Sequence, residues 1–274
     1  MSFDTSTLQV GDLSAFAVAN GMTYSPIAAP SGFGGALFEF LQGGSESDRF
    51  ASPGRPILEI GTITGTVGGS QVRQSGSWTV TTSYGTTSVR SFGFLAMQLE
   101  RAVPHLVLDA KSNGSSIPMP IAGGQSLSLE GDFDRHFTLH CPTGYERDAL
   151  YIFTPDLMAL LIDESGAFDV EIVDDMLFIY SNVPFDPRDI ALWDRLGRIK
   201  DLVGAKTLTQ TDYYSDERVA DRAANTVADD GRRLRMGFLP TMSTGLKVGI
   251  VAGVVVFIGV FVTIFAVVFS LVLR

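Results

Sequence analysis

The sequence predicts an α+β fold, in which a β-rich antiparallel domain with a few helices precedes one C-terminal transmembrane helix. Strand-like runs of β-branched residues, separated by Gly- and Ser-rich turns, fill the first half of the chain. Helical spacing of apolar residues dominates only after residue 145. Strands that come first and helices that follow favour α+β over a βαβ arrangement. The stretch 248–273 contains no charged side chain and is long enough to span a bilayer.

The predicted strands share period-2 alternation or enrichment in β-branched residues. They cover 36–41, 56–67, 77–84, 89–100, 105–110, 126–130 and 136–141, and a hairpin is predicted from 168–173 and 176–181. The predicted helices begin at a capping residue or an early proline, except for 145–152, which is expected to form a helical turn. They cover 12–20 with Asp12 as N-cap, 145–152, a helix opening at Thr154-Pro155, and a helix from Asp186 that ends at Gly204.

Three parts of the chain follow from these patterns. Residues 1–204 are expected to form the soluble α+β domain. Residues 205–244 are polar with only a thin apolar stripe, so we expect a helical stalk that ends in a basic juxtamembrane segment. Residues 245–274 are expected to form the transmembrane helix.

Charge is distributed unevenly along the chain. From residue 231 onward there are five basic and no acidic residues, which leaves 15 of the 20 basic residues and all 30 acidic ones in 1–230. A region near −15 argues against nucleic-acid binding. A single cysteine, Cys141, excludes an intrachain disulfide and a CxxC zinc site, and it fits a reducing compartment.

The basic residues around the hydrophobic stretch predict its orientation. Four precede it and one follows it: Arg232, Arg233, Arg235 and Lys247, then Arg274. The positive-inside rule places the N-terminal domain in the cytoplasm, and the first residues do not resemble a secretory signal. We therefore expect a tail-anchored, single-pass protein of the cell membrane. The four basic residues are also expected to contact anionic headgroups, at about 1 kcal/mol per charge.

Three glycines are spaced four residues apart at the cytoplasmic end of the anchor: Gly245, Gly249 and Gly253. Small residues at this spacing let a second helix approach closely, so the row predicts pairing with another copy or with a partner protein. The alternative is that glycine is simply frequent in membrane helices.

The densest cluster of polar residues is Asp132, Asp134, His136, Thr138 and His140. On one extended strand these side chains share a face, and His and Asp are good metal ligands. Residues two apart on a strand are separated by about 7 Å, however, so the two histidines would lie about 13 Å apart and could not hold one ion. A solvated sheet face is the favoured interpretation, and a metal-dependent or hydrolytic enzyme is the alternative.

Cys141 and His105 are two further candidates for a functional site. Cys141 follows His140, but adjacent strand residues point to opposite faces, so Cys141 is expected to be a small core residue. His105 precedes a hydrophobic strand and has no visible partner. Nucleotide, hydrolase and metalloprotease motifs are absent from the sequence, so no catalytic, cofactor or metal residue is assigned.

Residues 127–180 combine an acidic-plus-Phe element, a Phe153-Thr154-Pro155 helix opening, a Leu-rich helix and a short hairpin pattern. This stretch resembles a group of uncharacterised bacterial, especially actinobacterial, membrane-associated proteins. The resemblance implies membrane association. It brings no activity and no site residues with it.

These observations lead us to expect a non-enzymatic, membrane-anchored protein. Its acidic cytoplasmic domain would be presented for protein interaction or scaffolding at the inner membrane face. A structural subunit of a larger membrane complex is a further alternative.

Overall fold

An antiparallel sheet forms the centre of the molecule. The computed structural model describes residues 3–68, 70–75, 78–83, 87–114, 121–129, 131–221 and 224–235. The strands within them are β1 (Thr23–Ala28), β2 (Gln42–Ala51), β3 (Leu58–Val67), β4 (Ser70–Ser75), β5 (Trp78–Ser83), β6 (Ser88–Ala110), β7 (Ser126–Leu127), β8 (Phe137–His140) and β9 (Asp169–Ser181). Seven of these described strands share one sheet in the order β1-β2-β3-β6-β8-β7, with β9 also paired to β6, while β4 and β5 form a separate hairpin.

The helices are short and lie mostly after β6. They are α1 (Leu13–Ala19), α2 (Ala36–Phe40), α3 (Phe133–His136), α4 (Glu146–Ile152), α5 (Pro155–Leu160), α6 (Ile190–Arg198), α7 (Ala205–Thr211) and α8 (Asp229–Arg232). A 3₁₀ turn precedes α1 at Ser6–Val10, and π turns follow α5 at Leu161–Ser165 and α6 at Ile199–Gly204. The predicted α+β class, rich in antiparallel sheet, is confirmed.

The predicted strand at 36–41 is wrong, because these residues form helix α2. Short apolar runs do not distinguish strand from helix by themselves. Here the backbone N–H of Ala36 donates to the buried carboxylate of Glu171 at 2.7 Å and so fixes the first turn. Strands β1 and β2 lie on either side of this helix in the chain, in a region predicted to be mostly loop.

The predicted hairpin at 168–181 is also wrong. Residues Asp169–Ser181 form one strand, β9, whose two halves both pair with β6. The register shifts between them, and Asp174 adopts a left-handed conformation with φ of 52°. An acidic pair in the middle of a strand pattern therefore marks a bulge here, and the chain does not reverse. Strand β6 likewise continues through Pro104, where a bend between two strands was expected.

The long helical region extends beyond its predicted end. Asp189, rather than Asp186, caps α6, because its side chain accepts from the N–H of Ala191 at 2.9 Å. At Gly204 the chain continues directly into α7. A Cβ at Gly204 would lie 2.5 Å from Cε of Met97, so this glycine permits a close approach of helix and sheet.

The first face of the sheet carries the larger core. Trp193 of α6 lies at its centre, with ring centroids 4.4 Å from Phe16 and 4.9 Å from Phe50. The indole N–H donates to the carbonyl of Pro187 at 2.9 Å, so its polar atom is satisfied although the side chain is buried. This cluster connects α1, β2 and α6 into one packed layer.

The second face is covered by residues 31–41, which we call the cover segment. Its aromatic side chains meet those of the sheet, since Phe33 lies 5.7 Å from Phe178 and Phe38 lies 5.1 Å from Phe94, measured between ring centroids. Leu37 and Leu41 complete this smaller core. The sheet is therefore covered on both faces in this region.

The boundary expected after residue 204 does not coincide with the end of the compact unit, which runs from Met1 to Met236. The supposed stalk contributes buried side chains over its described part, among them Tyr214, Val227 and Leu234. A second unit, Gly237–Arg274, lies outside the described residues, and so do the predicted span and its glycine row. No helix among the described residues is long and apolar enough to cross a bilayer.

Candidate functional site: the C-terminal docking site

A fully buried carboxylate organises the candidate site. On β9, Val170 and Ile172 belong to the first core, so Glu171 between them faces the opposite side. One oxygen of Glu171 accepts from the hydroxyl of Tyr180 and from the N–H of Ala36, each at 2.7 Å. The other lies 2.7 Å from Nε2 of His105. Three donors thus compensate the loss of hydration that burial imposes on this carboxylate.

The second nitrogen of His105 binds the end of the described chain. Nδ1 lies 3.1 Å from the backbone N of Leu234, and a backbone N–H can only donate. Nδ1 must therefore be unprotonated and Nε2 must carry the hydrogen donated to Glu171. The contacts assign His105 as the neutral Nε2–H tautomer, held between a strand and the C-terminal segment, which we define as residues 232–235.

Tyr180 remains a hydrogen-bond donor at every physiological pH. Burial, followed by the charge of the neighbouring Glu171, raises the pKa of Tyr180 well above its ordinary value. Gly35 lies against its hydroxyl so closely that a Cβ there would collide with it. The cover segment and β9 therefore meet at this phenol without room for a side chain.

Gln125 holds the C-terminal segment at a second point. Its side-chain oxygen accepts from the N–H of Arg235 at 2.7 Å, and its amide donates to the carbonyl of the same residue at 2.8 Å. The N–H of Ala122 donates to that carbonyl as well, at 2.8 Å. Because Gln125 is buried, its amide replaces the backbone pairing that a neighbouring strand would provide.

Two predicted headgroup-binding arginines form ion pairs with the domain. Arg233 lies 3.1 Å from one oxygen of Asp174 and 3.6 Å from Glu39, and Arg232 lies 3.6 Å from the other oxygen of Asp174. These pairs are partly exposed, so each contributes at most about 1 kcal/mol. Arg235 is fixed through its backbone, while Lys247 and the glycine row (Gly245, Gly249 and Gly253) lie outside the described residues. The contacts define the C-terminal docking site, made of His105, Gln125, Asp174 and Glu39 with Glu171 behind them.

The residues of the Asp132–His140 cluster do not lie on one strand. This differs from the arrangement considered from the sequence, in which they share one strand face. Asp132 precedes helix α3, and only Thr138 and His140 belong to β8 with their side chains on one face. His136 lies 4.0 Å from Asp132 across one exposed helical turn. Asp134 instead caps a neighbouring loop: the hydroxyl of Ser128 and then the N–H of Leu129 hold its pKa below the ordinary value.

His140 is half-buried, and burial lowers its pKa. Its Nδ1 has no hydrogen-bond partner among the residues that the structure describes. Within those same residues, no group of three or more His, Cys, Asp or Glu side chains is placed to hold a metal ion.

Cys141 is buried in the first core, as predicted. Burial, with a smaller contribution from Glu146 and Asp148, raises the pKa of the Cys141 thiol to about 11. A thiol that stays protonated and enclosed is a poor nucleophile, which agrees with its interpretation as a small core residue.

A second polar network holds the region predicted as a stalk. Arg218 bridges Asp148 and Asp216: its Nη2 lies 3.0 Å from Oδ2 of Asp148 and its Nη1 lies 3.0 Å from Oδ1 of Asp216. Its guanidinium also stacks on the Tyr145 ring, 3.9 Å from the ring centroid. Tyr145 also donates to Asp216 at 2.9 Å. Burial alone would raise the pKa of Asp216. Hydrogen bonds to its carboxylate, first from the N–H groups of Ala228 and Arg218, hold the pKa below its ordinary value.

A third cluster fixes the beginning of the cover segment. Ser31 donates its backbone N–H to the buried Glu46, and its hydroxyl contacts Glu59. Arg49 donates to Glu59 at 2.7 Å. Burial, opposed by the Ser31 N–H and reinforced by the charge of Glu59, raises the pKa of Glu46 to about 7.

Most of the C-terminal docking site is not predictable from the sequence. His105 was singled out, but its partner Glu171 lies 66 residues away. A partial signal was present, because Glu171 and His105 are ionisable residues within largely apolar strand patterns that also contain Asp169 and Asp109. Such residues are rarely buried without a partner, so each one predicts the other.

The described part of the chain is thus an antiparallel, sheet-rich α+β domain with several helices. No protein-family model and no curated protein matches the sequence. Among solved structures, the chain is similar to the crystal structure of the mycobacterial trehalose monomycolate transport factor A, TtfA. The TM-score is 0.43 at 9% sequence identity, over 76% of this chain and 93% of that chain. Values this low carry no argument about activity.

Proposed function

We propose that this is a non-enzymatic, tail-anchored membrane protein whose acidic α+β domain faces the cytoplasm and binds a partner protein at the inner membrane surface. The anchor is the uncharged stretch 248–273, and the basic residues that precede it set the orientation. The observation that carries the proposal is the C-terminal docking site, because it joins the folded domain to the segment that leads into this stretch.

Docking shortens the link between domain and anchor. A free stalk from residue 205 would leave more than 40 residues before the span, whereas the docked segment leaves only the twelve residues 236–247. At about 3.5 Å per residue, such a link reaches ~40 Å at most. A domain attached in this way is suited to presenting one surface to other proteins of the same membrane.

The basic residues contribute to both attachment and orientation. Arg232 and Arg233 keep 48% and 39% of their side chains exposed although they pair with carboxylates. We propose that they exchange these partners for anionic headgroups together with Lys247. The row Gly245, Gly249 and Gly253 is proposed to pair anchors, either of two copies or of this chain and its partner.

Labelling in cells tests the orientation. The thiol of Cys141 is buried, so an Asp132→Cys variant supplies one exposed cysteine. A membrane-impermeant maleimide should label it only after spheroplasts are lysed. Labelling of intact spheroplasts would place the domain on the opposite side and contradict the proposal.

Anchoring and partner binding need separate measurements. Ile258→Arg places a charge at the centre of the predicted span, at a cost of about 2.5–3.5 kcal/mol, with Ile258→Leu as the matched control. The arginine variant should leave the carbonate-washed membrane fraction and lose partner proteins that co-purify with the full chain in detergent. A wild-type chain that purifies without stoichiometric partners would contradict the interaction function.

A further inference from the structure

One buried contact of the C-terminal segment depends on an unprotonated nitrogen. His105 is 3% exposed, and its Nδ1 is the acceptor for the N–H of Leu234, which is itself buried. The ring cannot turn to offer another acceptor, because Nε2 is bound to Glu171 at 2.7 Å. One of the contacts that hold the segment therefore uses an acceptor that a single proton removes.

We propose that His105 is an acid-sensitive latch, which releases the C-terminal segment from the domain when its Nδ1 takes up a proton. In the neutral form, Nδ1 accepts from Leu234 and Nε2–H donates to Glu171. In the protonated form both ring nitrogens donate. Two N–H groups then face each other across 3.1 Å, and the buried amide of Leu234 loses its acceptor.

The groups around His105 favour this response. Glu171 and Tyr180 face it from β9, and the carboxylate contacts Nε2 of the ring at 2.7 Å. Arg233 of the C-terminal segment is paired with Asp174 and Glu39, so its charge is directed toward carboxylates. Further along the same sheet face lie Asp109 and His140. Glu171 is therefore the charged group in direct contact with the ring.

The latch would also act on the cover segment. Glu171 accepts from both His105 and Ala36, and Arg233 lies against Gly34 and Glu39. The two segments are therefore linked through the His105–Glu171 pair and through Arg233. Loss of the C-terminal segment should loosen helix α2 as well.

The latch deepens the proposed function and rests on it for its role, since it would set how firmly the domain is held to its anchor. Its physical test is independent of any membrane partner. Full-length protein in detergent micelles is compared at pH 7.5 and 5.5 by amide hydrogen exchange, corrected for the intrinsic pH dependence of exchange rates. The readouts are the amides of residues 229–235 and 33–41, with the central part of β6 as internal reference.

We expect the 229–235 amides of the wild type to exchange about tenfold faster at pH 5.5, the change that corresponds to one lost buried hydrogen bond. A smaller increase is expected for 33–41, and none for β6. Equal corrected rates at both pH values would overturn the latch, while leaving anchoring and partner capture untouched as tests of the proposed function.

Three substitutions separate His105 from other acid-sensitive groups. His105→Asn places an amide oxygen near the position of Nδ1 and should keep 229–235 protected at both pH values. His105→Gln reaches Glu171 but offers Leu234 no acceptor, so exchange should be fast at both. Asp174→Asn neutralises the carboxylate that pairs with Arg232 and Arg233, and it should retain the pH response. A response that disappears in Asp174→Asn and persists in His105→Asn would overturn the proposal.

Discussion

Nε2 of His105 lies 2.7 Å from Oε1 of Glu171, and the two residues reach this contact from the two longest strands of the sheet. Both side chains are almost completely buried. The pair is a junction, because the cover segment binds the same carboxylate and the C-terminal segment binds the same imidazole. Three parts of the chain that are distant in sequence are therefore joined at one point.

Removing the carboxylate should destabilise the domain strongly. Glu171→Ala leaves the Tyr180 hydroxyl, the Ala36 N–H and the His105 Nε2–H without their acceptor. We expect a loss of about 3–5 kcal/mol in the free energy of unfolding, as for other broken buried pairs. Urea denaturation measures it, with Glu217→Ala at an exposed position as the control. A loss below about 1 kcal/mol would show that the junction contributes little.

The close approach of the cover segment to β9 at Gly35 predicts that alanine will have different effects at Gly35 and at Gly32. A Cβ at Gly35 would collide with the hydroxyl of Tyr180 and approach the Phe178 ring, whereas one at Gly32 meets nothing within 4 Å. Gly35→Ala should therefore cost about 1–3 kcal/mol through overpacking, and Gly32→Ala should be close to neutral. Thermal unfolding of both variants compares them directly. Equal melting temperatures would contradict the contact.

The sequence predicted helices α1 and α2 unequally well. Helix α1 was placed correctly because its signals are local: Asp12 accepts from the N–H groups of Ser14 and Ala15 at 3.0 Å, and Gly21 with φ of 67° follows the end of the helix. Helix α2 was not, because its apolar residues suit a strand equally well. Its conformation depends on Glu171, which lies 135 residues away.

Contacts between residues distant in sequence also explain why a stalk was predicted after residue 204. Residues 211–230 look polar and thinly amphipathic, and nothing local indicates packing. Their attachment depends on Arg218 meeting Asp148, which lies 70 residues earlier. The basic residues near 232–235 were noticed, but their partners Asp174 and Gln125 could not be assigned without the fold. The presence of His105 and Glu171 in largely apolar strand patterns was a partial signal.

The Glu46–Glu59 pair predicts a pH-dependent stability. The pKa of Glu46 is raised from 4.5 to about 7, chiefly by burial, so the folded state binds its proton more tightly than the unfolded state. The stabilisation is complete below pH 4.5 and is lost as the pH rises through 7. Glu46→Gln should remove this part of the slope.

Urea denaturation at pH 5 and pH 7.5 measures the effect as a difference between wild type and variant. Wild type should lose more stability than Glu46→Gln over this interval. Parallel changes in the two proteins would show that Glu46 is not the titrating group.

The Arg218 bridge predicts that residues 212–228 open when it is weakened. Arg218→Lys cannot reach Asp148 and Asp216 at once or stack on the Tyr145 ring in the same way. We expect trypsin or chymotrypsin to cleave this region at least several-fold faster, with Arg147→Lys on the same surface as the control. Unchanged cleavage would mean that the bridge is not what holds the region.

The central claim is that the segment leading to the anchor is docked on the folded domain. The most direct measurement is hydrogen exchange of the Leu234 and Arg235 amides in the full chain, reconstituted in bilayers at pH 7.5. We predict protection comparable to that of the edge strands of the sheet, because the Leu234 amide donates to His105 and the Arg235 amide to Gln125. Exchange at the rate of an unstructured peptide would contradict the account and restore a free stalk.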